Sequence, residues 1–126
     1  MIRYSEQHID HKDISSVIKT LKSNFITTGP QIQKFEEKLS KKVNSKYSVV
    51  FNSATSALHS ACIALGLKKN DWLWTSANSF VASANCGLYC GAKIDFLDIE
   101  LETFNIDLKK LEIKLHKAKK KNYYQK

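Results

Sequence analysis

The stretch Tyr47-Ser-Val-Val-Phe51-Asn52-Ser53-Ala54-Thr55-Ser56-Ala57-Leu58-His59 decides how this chain is read. β-Branched Val49 and Val50 between aromatic Tyr47 and Phe51 predict a short apolar strand over 47–51. The residues after it predict a helix from Ser53 to Leu67. Ala54, Ala57, Leu58, Ala61, Cys62 and Leu65 fall at helical spacing on one stripe, and Gly66 follows as a stop. Hydroxyls crowd the helix's first turn. Free N–H groups there point outward and the helix dipole favours an anion such as a phosphate, to which Ser53, Thr55 and Ser56 can add side-chain donors. A plainer reading stands beside it, in which Ser53 or Asn52 caps the helix.

Working outward, residues 1–10 read as an extended arm with Tyr4 as its aromatic. His11–Lys22 reads as a helix with Ile14, Val17, Ile18 and Leu21 on one face. Phe25-Ile-Thr-Thr-Gly29-Pro30 breaks the chain, and Pro30 opens a second helix to about Val43, with Ile32, Phe35 and Leu39 inward. After Asn70-Asp71, Trp72–Thr75 reads as a strand. Ser79–Tyr89 reads as a helix with Phe80, Val81, Ala84 and Leu88 inward, and Gly91 stops it. Lys93–Asp98 alternates as a third strand. Asp107 caps a last helix that runs into a lysine run, with Leu108, Leu111 and Leu115 on its apolar side. Strands alternating with helices predict an α/β fold with parallel pairing and right-handed crossovers. The strands are too few to complete such a sheet, so the sequence reads as the N-terminal part of something larger, with uncovered apolar edges and faces.

Composition sets limits. The 126 residues, 43% hydrophobic, suit one domain at most and are neither disordered nor membrane-spanning in character. No signal-peptide core opens the chain, so a cytoplasmic location is the default expectation. Cys62, Cys86 and Cys90 are odd in number and read as free, buried thiols of a reducing compartment. Cys86 and Cys90 share a helix face, but His59 and His116 stand at no ligand spacing to them, and no metal is expected. Of the net charge of +8, eight lysines after residue 108, less Glu112, contribute +7. That basic end reads as a solvated helix terminus. Arg3 is the only arginine, so forks for phosphate or base recognition are missing and neither nucleic acid nor membrane is an expected partner. A small basic binding module acting through the lysines is the weaker alternative.

Thr27-Thr28-Gly29-Pro30, Phe51–His59, Ser79-Phe-Val-Ala-Ser-Ala-Asn85 and Tyr89-Cys-Gly-Ala-Lys-Ile-Asp-Phe-Leu-Asp-Ile99 together, in order and spacing, resemble the DegT/DnrJ/EryC1/StrS family of pyridoxal-phosphate sugar aminotransferases. The resemblance covers residues 1 to about 115. It implies the N-terminal part of the large cofactor-binding domain of the aspartate-aminotransferase (fold type I) fold: a mixed or parallel sheet with helices on both faces, incomplete here. An arm and first helix would occupy 1–30 and the partial major domain 31–126.

By the same resemblance, Ala54, Thr55 and Ser56 would hold the phosphate of pyridoxal 5'-phosphate, and Phe80 would stack on its ring, where the alternative is an ordinary core aromatic. Tyr4, Asn24, Phe25, Ile26 and Thr27 match substrate-contacting positions of members that act in pseudaminic acid biosynthesis. Those members transfer an amino group, usually from glutamate, to a UDP-linked 4-keto-6-deoxy sugar, and they work as homodimers. The family's Schiff-base lysine and the acid that partners the pyridine nitrogen lie beyond residue 126, so no catalytic residue is assigned and the chain alone is expected to be inactive. Because that lysine position is missing, a sugar dehydratase of the same family, with histidine there, stays open, as does a non-catalytic truncated relic.

Overall fold

The computed structural model describes residues 5–120, and it divides into two compact units, Met1–Val50 and Phe51–Lys126. Each is built from short-range rules.

The first unit holds α1 (His11–Leu21) and α2 (Pro30–Lys42). Asp10 starts α1 through a reciprocal capping box. Its carboxylate accepts from the N–H groups of Lys12 (2.7 Å) and Asp13 (3.1 Å), and the Asp13 carboxylate accepts from Asp10 N–H at 3.0 Å. α2 begins, as expected, with Pro30 in its first turn, where a missing N–H costs nothing. Neither helix buries a residue, and the predicted stripes Ile14–Val17–Ile18–Leu21 and Ile32–Phe35 are exposed. The segment 47–51 forms no regular secondary structure and is not a strand, which corrects the expectation from its β-branched pattern. A strand needs a ladder partner, and here Val50 N–H instead donates to Glu36 Oε1 of α2 at 2.9 Å. Without a partner, Tyr47 is left 75% exposed.

The second unit is a β–α–β arrangement flanked by two further helices: α3 (Ala54–Ala64), β1 (Trp72–Ser76), α4 (Ala82–Tyr89), β2 (Lys93–Leu97) and α5 (Leu108–Lys120). β1 and β2 pair in parallel, Trp72 against Lys93 through Ser76 against Leu97. Side chains alternate between the faces. Leu73 and Ile94 look toward α4. Trp74 and Asp95 look the other way, toward Lys114 of α5, whose ammonium lies 5.1 Å from the Trp74 ring centroid, pairs with the Asp95 carboxylate and donates to Phe96 C=O at 2.8 Å. Helices therefore serve both faces of a small parallel sheet, the α/β arrangement expected.

Which residues face inward differs from expectation. α4 starts at Ala82 rather than Ser79, and it buries Ala82, Cys86 and Gly87, while Phe80, Val81 and Leu88 are exposed. The reason is distance. A Cβ placed on Gly87 would stand 2.6 Å from Ile94 Cδ1 and 3.1 Å from Leu73 Cβ, so the helix lies too close to the sheet for bulky side chains. In α5 the inward positions are Leu111, Lys114 and Ala118, at i, i+3 and i+7, and Leu108 and Leu115 are exposed. Asp107 does cap that helix, accepting from Lys109 N–H (2.9 Å) and Lys110 N–H (3.1 Å).

α3 buries only Cys62 of its predicted stripe. It packs on α4, with the His59 and Tyr89 rings edge to face at 5.2 Å, and Gly66 ends it at φ 78°. All three cysteines are free thiols: Cys62 and Cys86 are buried, while Cys90 is half-buried, short of the full burial expected. Burial first, then the Cys86 thiol beside it, push the Cys62 thiol up to about 11 from an ordinary value of 9.0.

Gly87→Val is expected to lower stability by about 1–3 kcal/mol, because the added methyls must displace Ile94 and Leu73; the midpoint of urea unfolding measures it. Raising the Cys62 value on folding favours the neutral thiol, so this contribution is whole below pH 9.0 and is lost as pH rises toward about 11. Stability measured across that alkaline window should fall more steeply for the native chain than for Cys62→Ala, whatever constant difference separates them.

Candidate functional site

The second unit brings the predicted cofactor residues to the start of α3 and the start of α4. Ser53 is the N-cap of α3, in extended backbone, and its hydroxyl accepts from Ser56 N–H at 3.1 Å while lying 3.0 Å from Ser56 Oγ. Ala57 N–H donates to Ser53 C=O at 3.1 Å. The N–H groups of Ala54 and Thr55 have no acceptor among the described residues. Capping and anion binding are thus compatible: Ser53 takes one donor of the first turn and two others stay open.

No carboxylate sits in that turn. Ala54 is exposed and Thr55 and Ser56 are half-buried, so donors and hydroxyls are reachable from solvent. This donor set, an open helix start with backbone N–H groups and two hydroxyls and no opposing charge, fits the phosphate of a cofactor.

Phe80 lies in the connection between β1 and α4 and is 74% exposed. A core aromatic would be covered, and this ring is not. The connection is braced by Ser79 Oγ and Ser83 Oγ, 2.8 Å apart, and by Ser83 N–H donating to Phe80 C=O at 2.9 Å.

At the carboxyl end of β2, Asp98 accepts from Lys110 Nζ at 2.6 Å and from Ile99 N–H at 2.9 Å. The Lys110 hydrogen bond first, then the Ile99 N–H, hold the Asp98 carboxyl below its ordinary value. Asp98 is engaged in docking α5, with Lys110 also 3.9 Å from Asp107.

The predicted substrate residues fall in the first unit. Asn24, Phe25, Ile26 and Thr27 form the turn between α1 and α2, all exposed, fastened by Ser23 Oγ donating to Thr20 C=O at 2.7 Å. Tyr4 lies outside the described residues. Thr28, next in this turn, is at φ 49°, a left-handed backbone that a β-branched residue rarely adopts. Nothing in the sequence marks that strain beyond the Gly-Pro that follows.

No group of three or more His, Cys, Asp or Glu among the described residues is placed to hold a metal ion. No helix among them is long and apolar enough to cross a membrane.

Against protein families, residues 7–121 match the model of the DegT/DnrJ/EryC1/StrS aminotransferase family. The chain belongs to that family. Among its relatives, the UDP-4-amino-4,6-dideoxy-N-acetyl-beta-L-altrosamine transaminase of Campylobacter jejuni (strain 81-176) is 47% identical over 117 residues, which is 93% of this chain and 31% of the relative. The spore coat polysaccharide biosynthesis protein SpsC of Bacillus subtilis is 38% identical over 109 residues, covering 86% of this chain and 28% of that protein.

In structure, the PLP-form of the putative sugar aminotransferase Spr1654 from Streptococcus pneumoniae superposes with a TM-score of 0.85 at 33% identity, over 89% of this chain and 29% of that one. Helicobacter pylori PseC, an aminotransferase involved in the biosynthesis of pseudoaminic acid, superposes at 0.80 with 36% identity, over 88% and 30%. The chain spans about a third of the length of these relatives. The fold is therefore part of that of PLP-dependent aminotransferases, and the family's relatives are sugar aminotransferases.

Proposed function

We propose that this chain is the N-terminal portion of a pyridoxal-phosphate-dependent aminotransferase that acts on a UDP-linked 4-keto-6-deoxy sugar in pseudaminic acid or related surface-polysaccharide synthesis, with glutamate as the amine donor. The observation that carries the reading is the open first turn of α3. Ala54 and Thr55 keep free N–H donors there, and the Thr55 and Ser56 hydroxyls stand beside them, while Ser53 holds the turn in shape through Ser56 N–H. High identity to an altrosamine transaminase over 93% of the chain supports the sugar class.

When bound, the cofactor supplies an electron sink for moving an amino group. This chain's part is binding and orientation. The first turn of α3 fixes the phosphate end, the exposed Phe80 ring offers a flat apolar face to the pyridine ring, and Asn24–Thr27, with Tyr4, contact the sugar nucleotide. The groups that bond and protonate the cofactor belong to the part of the fold that the relatives carry beyond the matched third. As parts of the complete enzyme, a cytoplasmic homodimer, residues 1–30 are its arm with first helix and 31–126 a partial major domain, a division that does not follow the two compact units 1–50 and 51–126.

The ³¹P resonance of pyridoxamine 5'-phosphate reports the phosphate contact without any turnover. Adding the native chain should shift and broaden it, and Thr55→Ala with Ser56→Ala should weaken binding by about 1–3 kcal/mol in total, from two lost charge-assisted hydrogen bonds. An unshifted resonance with a folded chain contradicts the reading. Sequencing the gene past codon 126 in all three frames then decides the reaction: lysine at the family's cofactor-bonding position means amino transfer, and histidine there means sugar dehydration.

A further inference from the structure

Within the second unit, α3 and α4 pack on one another, and two side-chain pairs mark their seam. The His59 and Tyr89 rings meet edge to face at 5.2 Å. One turn on in α3 stands Cys62, one turn back in α4 stands Cys86, and the two thiols lie side by side. They are 8% and 2% exposed, so the seam closes over both. Cys86 Sγ donates to Ser83 C=O at 3.4 Å, which fixes that sulfur against its own helix. Both thiols are reduced.

The cofactor reading gives this pair no part. Elsewhere on its inner face α4 fills space with alanine and glycine, at Ala82 and Gly87. Two facing thiols add what those residues lack, the capacity to bond to each other.

We propose that Cys62 and Cys86 form a modification site, a dithiol that a low-molecular-weight disulfide oxidises to a Cys62–Cys86 bond clamping α3 to α4. Cys86 attacks one sulfur of the reagent R–S–S–R and expels the first R–S⁻. Cys62 then attacks the Cys86 sulfur and expels the second. The two thiol protons end on the two leaving thiolates, so the chain loses two electrons and the reagent leaves as two R–SH. Burial holds the proton on Cys62, with its thiol pushed up to about 11, so the exchange at neutral pH is slow and passes through local opening of the seam. The loop that the bond closes contains β1 and the Phe80 connection, and the bond joins the helix of the phosphate turn to the helix beside that ring. The inference is independent of the cofactor reading.

Oxidised glutathione is the probe, applied to the whole chain at a series of ratios to reduced glutathione until equilibrium. Alkylation after an acid quench, proteolysis and mass spectrometry then locate each cysteine. The expected product is a link within one chain between the Cys62 peptide and the peptide that carries Cys86 and Cys90. Cys90→Ser, which leaves the seam pair alone, should form the same link. Its midpoint should lie at a glutathione ratio about tenfold or more toward reducing conditions in the folded chain than in urea, because folding holds the two sulfurs together. Circular dichroism checks that the variant is folded. If it is not, fragmentation of the native link decides: Cys86 as partner supports the proposal and Cys90 overturns it. Glutathione adducts without an internal link, a link between two chains, or equal midpoints in the folded and unfolded chain also overturn it.

Discussion

The close approach of α4 to the sheet is the constraint on which the second unit depends. β1 and β2 pair in parallel, so the chain must cross over between them, and α4 is that crossover. Gly87 sets its depth: with Ile94 and Leu73 where they are, no larger residue fits without displacing them. Ala82 and Cys86 on the same face continue the small-residue surface, and α3 packs on α4 through Cys62 and the His59–Tyr89 ring pair. The bulky residues that a hydropathy pattern assigns inward, Val81 and Leu88 among them, are exposed instead.

The opposite face is held differently. Lys114 stands where an apolar residue is expected, yet its side chain is only 23% exposed. Asp95, the Phe96 carbonyl and the Trp74 ring all converge on its ammonium, so the charge is met on several sides. Its aliphatic stem covers apolar surface on the way. A hydropathy reading counts each lysine of α5 as solvent-facing and so misplaces that helix by part of a turn. Ala118, buried to 4% exposure, marks the true inner face.

The legible features were those set by neighbours in sequence. Pro30 at the start of α2, Ser53 and Asp107 as caps, Gly66 and Gly91 as stops and the two paired strands all follow from one or two adjacent residues. So did the hydroxyl-rich turn after Phe51, since capping and anion binding draw on the same local pattern. Features set by distant partners were not legible. Val49 and Val50 favour a strand, but among the described residues 47–51 joins no ladder, and Glu36 satisfies Val50 instead. The exposed faces of α1 and α2 show the same limit: their periodicity is clear, and what covers it is not among the described residues.

The account's central claim is that the first turn of α3 holds a cofactor phosphate. The most direct measurement follows the backbone amide resonances of Ala54 and Thr55 while pyridoxal 5'-phosphate is added to the folded chain. Both N–H groups lack an acceptor among the described residues, and a phosphate oxygen accepting from them should move both resonances downfield, with inorganic phosphate producing a weaker shift of the same sign. Unmoved Ala54 and Thr55 amides at saturating cofactor, or shifts confined to the lysines of α5, would contradict it.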